Sequence, residues 1–274
     1  MTRKDYWDLF KKTGKIEYYL EYKKRLEKMI LMVKKVLGIV VSEVDYKESS
    51  KIINIFTSDI GIIGVIARGT KKVKSPLAGV TSKLSYGYFH INYKENGLST
   101  LIEVDIVDRF KNIRKDINLM SYSLYILELS SKVYRHDTNK DIYELLIASL
   151  KKIDEGYDYQ VITNIFELKM LDYLGIRPVV DECVNCGSKT DIVTISSYRG
   201  GYLCKNCCHN ELIVDVKTIK LLRMFYYVDI AKITKLEVSD EIKKEMTQFV
   251  YDYYDRYSGI YLKSREFLQN LDKI

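Results

Sequence analysis

Four cysteines carry the clearest chemistry in this chain. They stand as Cys183-Val184-Asn185-Cys186 and, seventeen residues later, as Cys204-Lys205-Asn206-Cys207. Two thiols three positions apart can turn toward one ion, and two such pairs at this separation match a two-knuckle zinc site. Cys208 and His209 follow directly and are alternatives to Cys207, but the spacing favours Cys207. The reading is one zinc ion held by Cys183, Cys186, Cys204 and Cys207. Four thiolates leave no open coordination position, so the ion holds structure rather than activating water.

The second feature is Ala67-Arg68-Gly69-Thr70-Lys71-Lys72-Val73-Lys74-Ser75-Pro76. Arg68, Lys71, Lys72 and Lys74 crowd one loop at the end of a predicted strand, and Gly69 allows the backbone to approach a ligand closely. Such a loop can follow a phosphate backbone, and a solvated loop is an equal reading of the segment alone. Tyrosine occurs 24 times. Tyr86 and Tyr88 share a face of one predicted strand, where they either stack on bases or pack on the sheet.

Catalytic machinery is missing from the pattern. His90, His136 and His209 sit in no nucleophile motif, and no phosphate-cradling glycine motif occurs. Gly61 and Gly64 read as turn and bulge glycines. A binding protein is predicted rather than an enzyme.

The elements that must position these residues fall into three regions. Residues 1–28 read as helical, with Trp7, Phe10, Ile16, Tyr19 and Leu20 as the apolar set and Gly14 as a break. Residues 36–109 read as five strands: Val36–Val44, Ile52–Phe56, Ile60–Ala67, Leu84–Tyr93 and Leu98–Val107, the last two joined across Asn96-Gly97. That count suits a small closed barrel, an OB-fold first and an SH3-like barrel almost equally. From residue 115 the period turns helical. Ile142, Leu145, Leu146, Leu150 and Ile153 mark one helix, and another runs from Tyr159 to Leu174 and stops at Gly175. Ser239 is placed to cap a later helix burying Ile242, Met246, Phe249, Val250 and Tyr253.

The net charge of +7 is uneven: +4 over residues 1–28, +6 over 29–115 and −3 over 116–274. A polyanion would therefore meet the N-terminal part. An odd cysteine count with metal spacing points to a reducing cytoplasm. No segment has signal-peptide form or the length of a membrane span.

From about residue 34 to 269 these features, in this order, resemble the bacterial recombination mediator RecO family. Gly38-Ile39-Val40-Val41 with Glu48-Ser49, Thr57 with Gly61, and Ala67-Arg68-Gly69 with Lys74-Ser75-Pro76-Leu77 look like its barrel strands and basic loop. Leu174-Gly175, Pro178, Cys183 to Gly187, and Gly200-Gly201-Tyr202-Leu203-Cys204 with Cys207 look like its zinc region. Leu262-Lys263-Ser264-Arg265-Glu266-Phe267-Leu268 looks like its ending. The resemblance implies an OB-fold over 34–112 and an all-α domain over 113–274 with a zinc region inserted at 181–210.

It also implies binding of single- and double-stranded DNA through Arg68, Lys71, Lys72 and Lys74, and strand annealing without ATP. The implied partners are RecR, in loading the RecA recombinase, and single-strand DNA-binding protein; no membrane partner is expected. The other class of reading is a zinc-stapled protein-interaction scaffold with incidental nucleic-acid binding. Residues 1–30 instead resemble a small helical family, YqzL, through Trp7, Phe10, Thr13-Gly14, Ile16, Tyr19-Leu20 and Lys23. Either the two are fused, or the natural start is Met29 or Met32.

Overall fold

The computed structural model describes residues 1–30, 33–72, 74–134, 139–234 and 236–271. His136 and Met32 lie outside the described residues. The chain divides into two units, Met1–Arg109 and Phe110–Ile274.

The first unit opens with two helices, α1 (Arg3–Thr13) and α2 (Ile16–Ile30). Thr2 and Asp5 form a reciprocal capping box at the start of α1, and Gly14 ends it in a left-handed conformation, φ 66°. The break predicted at Gly14 is therefore present. Trp7 packs on Tyr22 at 4.9 Å and Phe10 on Tyr19 at 5.2 Å between ring centroids, which zips the hairpin together.

Five strands follow: β1 (Val33–Tyr46), β2 (Ser50–Thr57), β3 (Gly61–Ala67), β4 (Tyr86–Asn92) and β5 (Ser99–Asp108). They close into a barrel in the order β1-β2-β3-β5-β4. The short β3–β5 contact is parallel and the other pairs are antiparallel. This is the OB-like arrangement. Alternate β-branched residues make it: Val36, Val40, Ile53, Ile55 and Val65 point inward with Phe89, Ile91 and Leu101 to fill the core.

Strand β1 serves two neighbours. It pairs with β4 over Val33–Ile39 and with β2 over Gly38–Tyr46, with a bulge between Val40 and Ser42. The overlap requires small residues. Gly38 faces Gly87, and a Cβ on Gly87 would stand 2.4 Å from the Asp105 carbonyl oxygen.

Gly64 is not a bulge glycine. It pairs with Asn54 in unbroken register, and a Cβ there would meet Leu98 Cδ2 at 2.7 Å, so close side-chain approach explains it. Tyr86 and Tyr88 do share a face of β4, because its register with β1 runs unbroken through both. Along that face Tyr86 is buried and Tyr88 is exposed.

The second unit contains α3 (Ile117–Val133), α4 (Asn139–Asp154), α5 (Tyr159–Tyr173), α6 (Val216–Tyr227), α7 (Asp240–Tyr257) and α8 (Lys263–Leu271). Asp116, Asp158 and Asp215 cap α3, α5 and α6 with their carboxylates. Ser239 precedes α7 without donating or accepting a side-chain cap bond; Asp240 and Glu241 fill the first turn instead. Helix α5 is the central element, with Ile162, Ile165, Phe166, Leu168 and Leu171 all buried. It packs against α3, α4, α6 and α7.

A carboxyl group is buried in this core. Glu167 on α5 accepts a hydrogen bond from the Tyr125 hydroxyl, and its backbone carbonyl accepts one from Tyr254 at 2.9 Å. Burial pushes its carboxyl up to about 7, against the pull of the Tyr125 hydroxyl and the Arg265 charge. Between the ordinary value of 4.5 and about 7 the native state holds more protons than the unfolded chain. Stability from this residue is therefore full in acid and falls as pH rises through that window, by about 3 kcal/mol in all. Urea midpoints at pH 5 and pH 8 should differ less in Glu167→Gln than in the parent, and an equal difference would contradict the assignment.

Candidate metal centre and nucleic-acid interface

Between α5 and α6 the chain builds a small ribbon from β6 (Ile192–Ser196) and β7 (Gly201–Cys204), which pair antiparallel. Sequence periodicity alone does not reveal these strands, because they are only five and four residues long. Val179 bridges to Gly201, and a Cβ on Gly201 would sit 2.3 Å from the Val179 carbonyl oxygen. The Gly-Gly pair is thus explained by backbone contact. Tyr202 donates its hydroxyl to the Ile219 carbonyl and so fastens β7 to α6.

Each cysteine pair sits on a tight turn. Cys183 N–H donates to the Ser188 carbonyl at 2.7 Å, and Gly187 N–H returns to the Cys183 carbonyl at 2.8 Å with Gly187 at φ 73°. In the second turn Cys207 and Cys208 N–H both donate to the Cys204 carbonyl, at 3.0 and 2.9 Å. The sulfurs of Cys183, Cys186, Cys204 and Cys207 lie within 4.8 Å of one another, with Cys186 and Cys204 3.7 Å apart. A tetrahedron with zinc–sulfur arms of about 2.3 Å has edges of about 3.8 Å, so the spacing fits such an ion. Cys208 turns away and donates to the Glu211 carbonyl at 3.6 Å.

The electrostatics also suit a cation. Burial opposes ionisation of Cys183, but backbone N–H groups of Cys204, Cys186 and Asn185 outweigh it and bring the thiol down to about 6. Cys207 is pushed up to about 12 because its contact with Cys186 favours the protonated form. Four thiolates this close repel one another. A divalent ion at their centre is what lets all four ionise together. This Cys set can hold a metal ion.

The basic loop follows β3 at the barrel rim. Thr70 is buried and Lys71 N–H donates to the Ser49 carbonyl at 3.2 Å, which ties the loop to the β1–β2 turn. Arg68, Lys72 and Lys74 are exposed. Arg68 and Lys72 line an open groove of about 650 Å³ together with Tyr46, Lys47 and Ser49. Lys71 is engaged elsewhere: its Nζ lies 2.6 Å from the Asp45 carboxylate, which that contact holds below the usual range.

Lys47 is the residue that the sequence reading missed. It occupies the β1–β2 turn with φ 54° and lies 5.4 Å from the Tyr46 ring centroid. Only its place in the turn-forming segment Lys47–Ser50 hinted at exposure; its meeting with Arg68 and Lys72 is a product of barrel closure. On the barrel's outer face, Tyr88 lies under the Lys35 ammonium at 4.6 Å, and His90 and Lys35 both contact Asp105. Among the described residues, no helix is long and apolar enough to cross a membrane.

The fold and site define a class: an OB-like barrel protein whose helical unit carries a four-cysteine, metal-competent ribbon. Residues 31–110 match the family described as Recombination protein O N terminal, and residues 114–266 match Recombination protein O C terminal. The DNA repair protein RecO of Listeria innocua serovar 6a is 39% identical over 240 residues, covering 86% of this chain and 94% of that protein. The DNA repair protein RecO of Bacillus cereus (strain AH187) is 40% identical over 246 residues, covering 88% and 99%. The chain belongs to the Recombination protein O family, and that membership supports a role in DNA repair and recombination. The matched residues begin after most of the α1–α2 hairpin.

Proposed function

We propose that this protein is a DNA-binding recombination mediator that pairs complementary single strands without ATP. The observation that carries the reading is the convergence of Arg68, Lys72 and Lys47 on one open groove of an OB-like barrel, in a chain of this family. Cations on the groove screen the repulsion between phosphate backbones, and base pairing supplies the free energy, so no covalent step is needed. Arg68, Lys72 and Lys74, with Lys47 added, are the phosphate contacts; Lys71 contributes less because Asp45 already neutralises it.

Cys183, Cys186, Cys204 and Cys207 hold one zinc ion, which staples the ribbon and takes no part in turnover. The wider role, in which RecR and single-strand DNA-binding protein are partners in loading RecA, follows the family. So do placement in the cytoplasm and the absence of enzymatic activity. Residues 1–30 form a separate YqzL-like helical extension ahead of the barrel domain at 34–112 and the helical domain at 113–274.

Annealing of two complementary oligonucleotides by purified protein, without ATP, tests the reading. Acceleration by the parent that is lost when Lys47, Arg68 and Lys72 are replaced together is the expected result. No acceleration by folded, metal-loaded protein would shift the reading to a protein-interaction scaffold built on the acidic, tyrosine-rich second half.

A further inference from the structure

The turn joining β6 and β7 presents an aromatic ring that no part of the core uses. Tyr198 is 64% exposed. Two guanidinium groups accompany it, Arg256 at 4.7 Å and Arg199 at 5.6 Å from its ring centroid. Arg199 has only a long contact to Glu211, at 3.8 Å. Among the described residues, no carboxylate lies within ion-pair distance of Arg256. Asp252, one turn earlier on α7, is engaged by the Gln248 amide at 2.8 Å.

The mount beneath this ring is rigid. Arg199 N–H donates to Ser196 Oγ at 3.1 Å, and Gly200 N–H donates to the Ser196 carbonyl at 3.0 Å, with Gly200 at φ 87°. The Tyr257 hydroxyl donates to the Tyr198 carbonyl at 3.0 Å. Tyr257 in turn packs on Tyr253 at 4.6 Å and Tyr253 on Phe249 at 5.4 Å, and those last two rings are buried. An aromatic ladder along α7 thus runs from the core to the hairpin turn and fixes its backbone. The fixed ring and the two guanidinium groups together form an exposed aromatic and cationic surface.

We propose that this turn is a second single-stranded nucleic-acid contact, with Tyr198 stacking on an unpaired base and Arg199 and Arg256 meeting the flanking phosphates. The proposal rests on the DNA reading above and extends it to the helical unit. The chemistry matches the ligand class: every base offers a π-face to an exposed ring, and guanidinium forks suit phosphate oxygens. A protein that pairs strands has to hold two of them, and this contact supplies a hold in the helical unit in addition to the cations of the barrel unit. Sequence alone could not show it, since Tyr198 and Arg256 are 58 positions apart.

Binding of an end-labelled oligothymidine to the full-length protein, followed by fluorescence anisotropy across a salt series, tests the proposal. Tyr198→Ala should weaken binding by roughly 5- to 150-fold, the range seen when a stacking ring is removed, with the salt slope unchanged. Tyr198→Phe should keep parental affinity, because the ring and not the hydroxyl does the stacking. Arg256→Ala should flatten the slope by about 0.7, one phosphate contact on a single strand. Equal thermal midpoints would confirm that the variants are folded. Parental affinity in Tyr198→Ala, or an equal loss in Tyr198→Phe, overturns the proposal while the DNA reading stands. No binding by the parent overturns both.

Discussion

Cys204→Ser is expected to abolish metal binding and unfold the ribbon between Val179 and Ile213, while the barrel keeps its structure. Cys204 is the most connected of the four ligands. It is buried, its sulfur lies 3.7 Å from Cys186, its carbonyl accepts both turn N–H groups, and it pairs with Ile192 across the hairpin. The ribbon's own core is Cys183, Leu203 and Cys204, with Val184, Ile192, Cys207 and Cys208 around it. A two-stranded hairpin with so little apolar packing is marginal in water. Structural zinc contributes about 10–16 kcal/mol to zinc-finger peptides at neutral pH, so even a small share of that decides whether this segment folds. Elemental analysis should find one zinc per parent chain and none in the variant. Hydrogen exchange should show the Val184, Tyr202 and Lys205 amides, each bonded in the native ribbon, losing protection. A parent without metal, together with a variant equally protected, would remove the metal reading.

The second large effect is expected at the barrel rim. Replacing Lys47, Arg68 and Lys72 together by Ala should flatten the dependence of log affinity on log salt by about 2 units for single-stranded DNA, three contacts at about 0.7 each. On that slope the loss at 0.15 M salt, relative to 1 M, is roughly 50-fold. Lys71→Ala alone should change the slope little, because removing it leaves Asp45 exposed to take a counter-ion in its place. The contrast separates a groove effect from a general loss of positive charge. If Lys71→Ala flattened the slope as much as the triple variant, the site would be the loop as a charged segment and not the groove that the barrel forms.

Local and periodic information carried much of the architecture. The five strands are legible because β-branched residues alternate between turn signals at Lys47–Ser50, Ser58-Asp59 and Asn96-Gly97. The helices of the second unit are legible because apolar residues recur at three and four between capping aspartates and Gly175. The cysteine set is legible because ligands on one turn must be close in sequence, and the structure brings those four sulfurs together. Strand count alone left an OB-like and an SH3-like barrel nearly equal, because the choice depends on β5 inserting between β3 and β4, a long-range pairing with no local signature; the family resemblance supplied the OB-fold.

The chain's residue types, spacings and local periods by themselves determined its family, its metal-competent cysteines, its barrel-then-helices order and the basic character of its N-terminal part. Those properties depend on neighbours within a few positions, where spacing and period are sufficient. Tertiary structure decided which cations are available and which rings are exposed. Closure of the barrel set Lys71 against Asp45 and brought Lys47 to Arg68 and Lys72. Folding buried Tyr86 and left Tyr88, on the same face of β4, exposed. Packing of the ribbon turn on α7 left Tyr198 beside Arg256. In each case the deciding contact joins segments distant along the chain, and only folding brings such segments within reach of a charge or a ring.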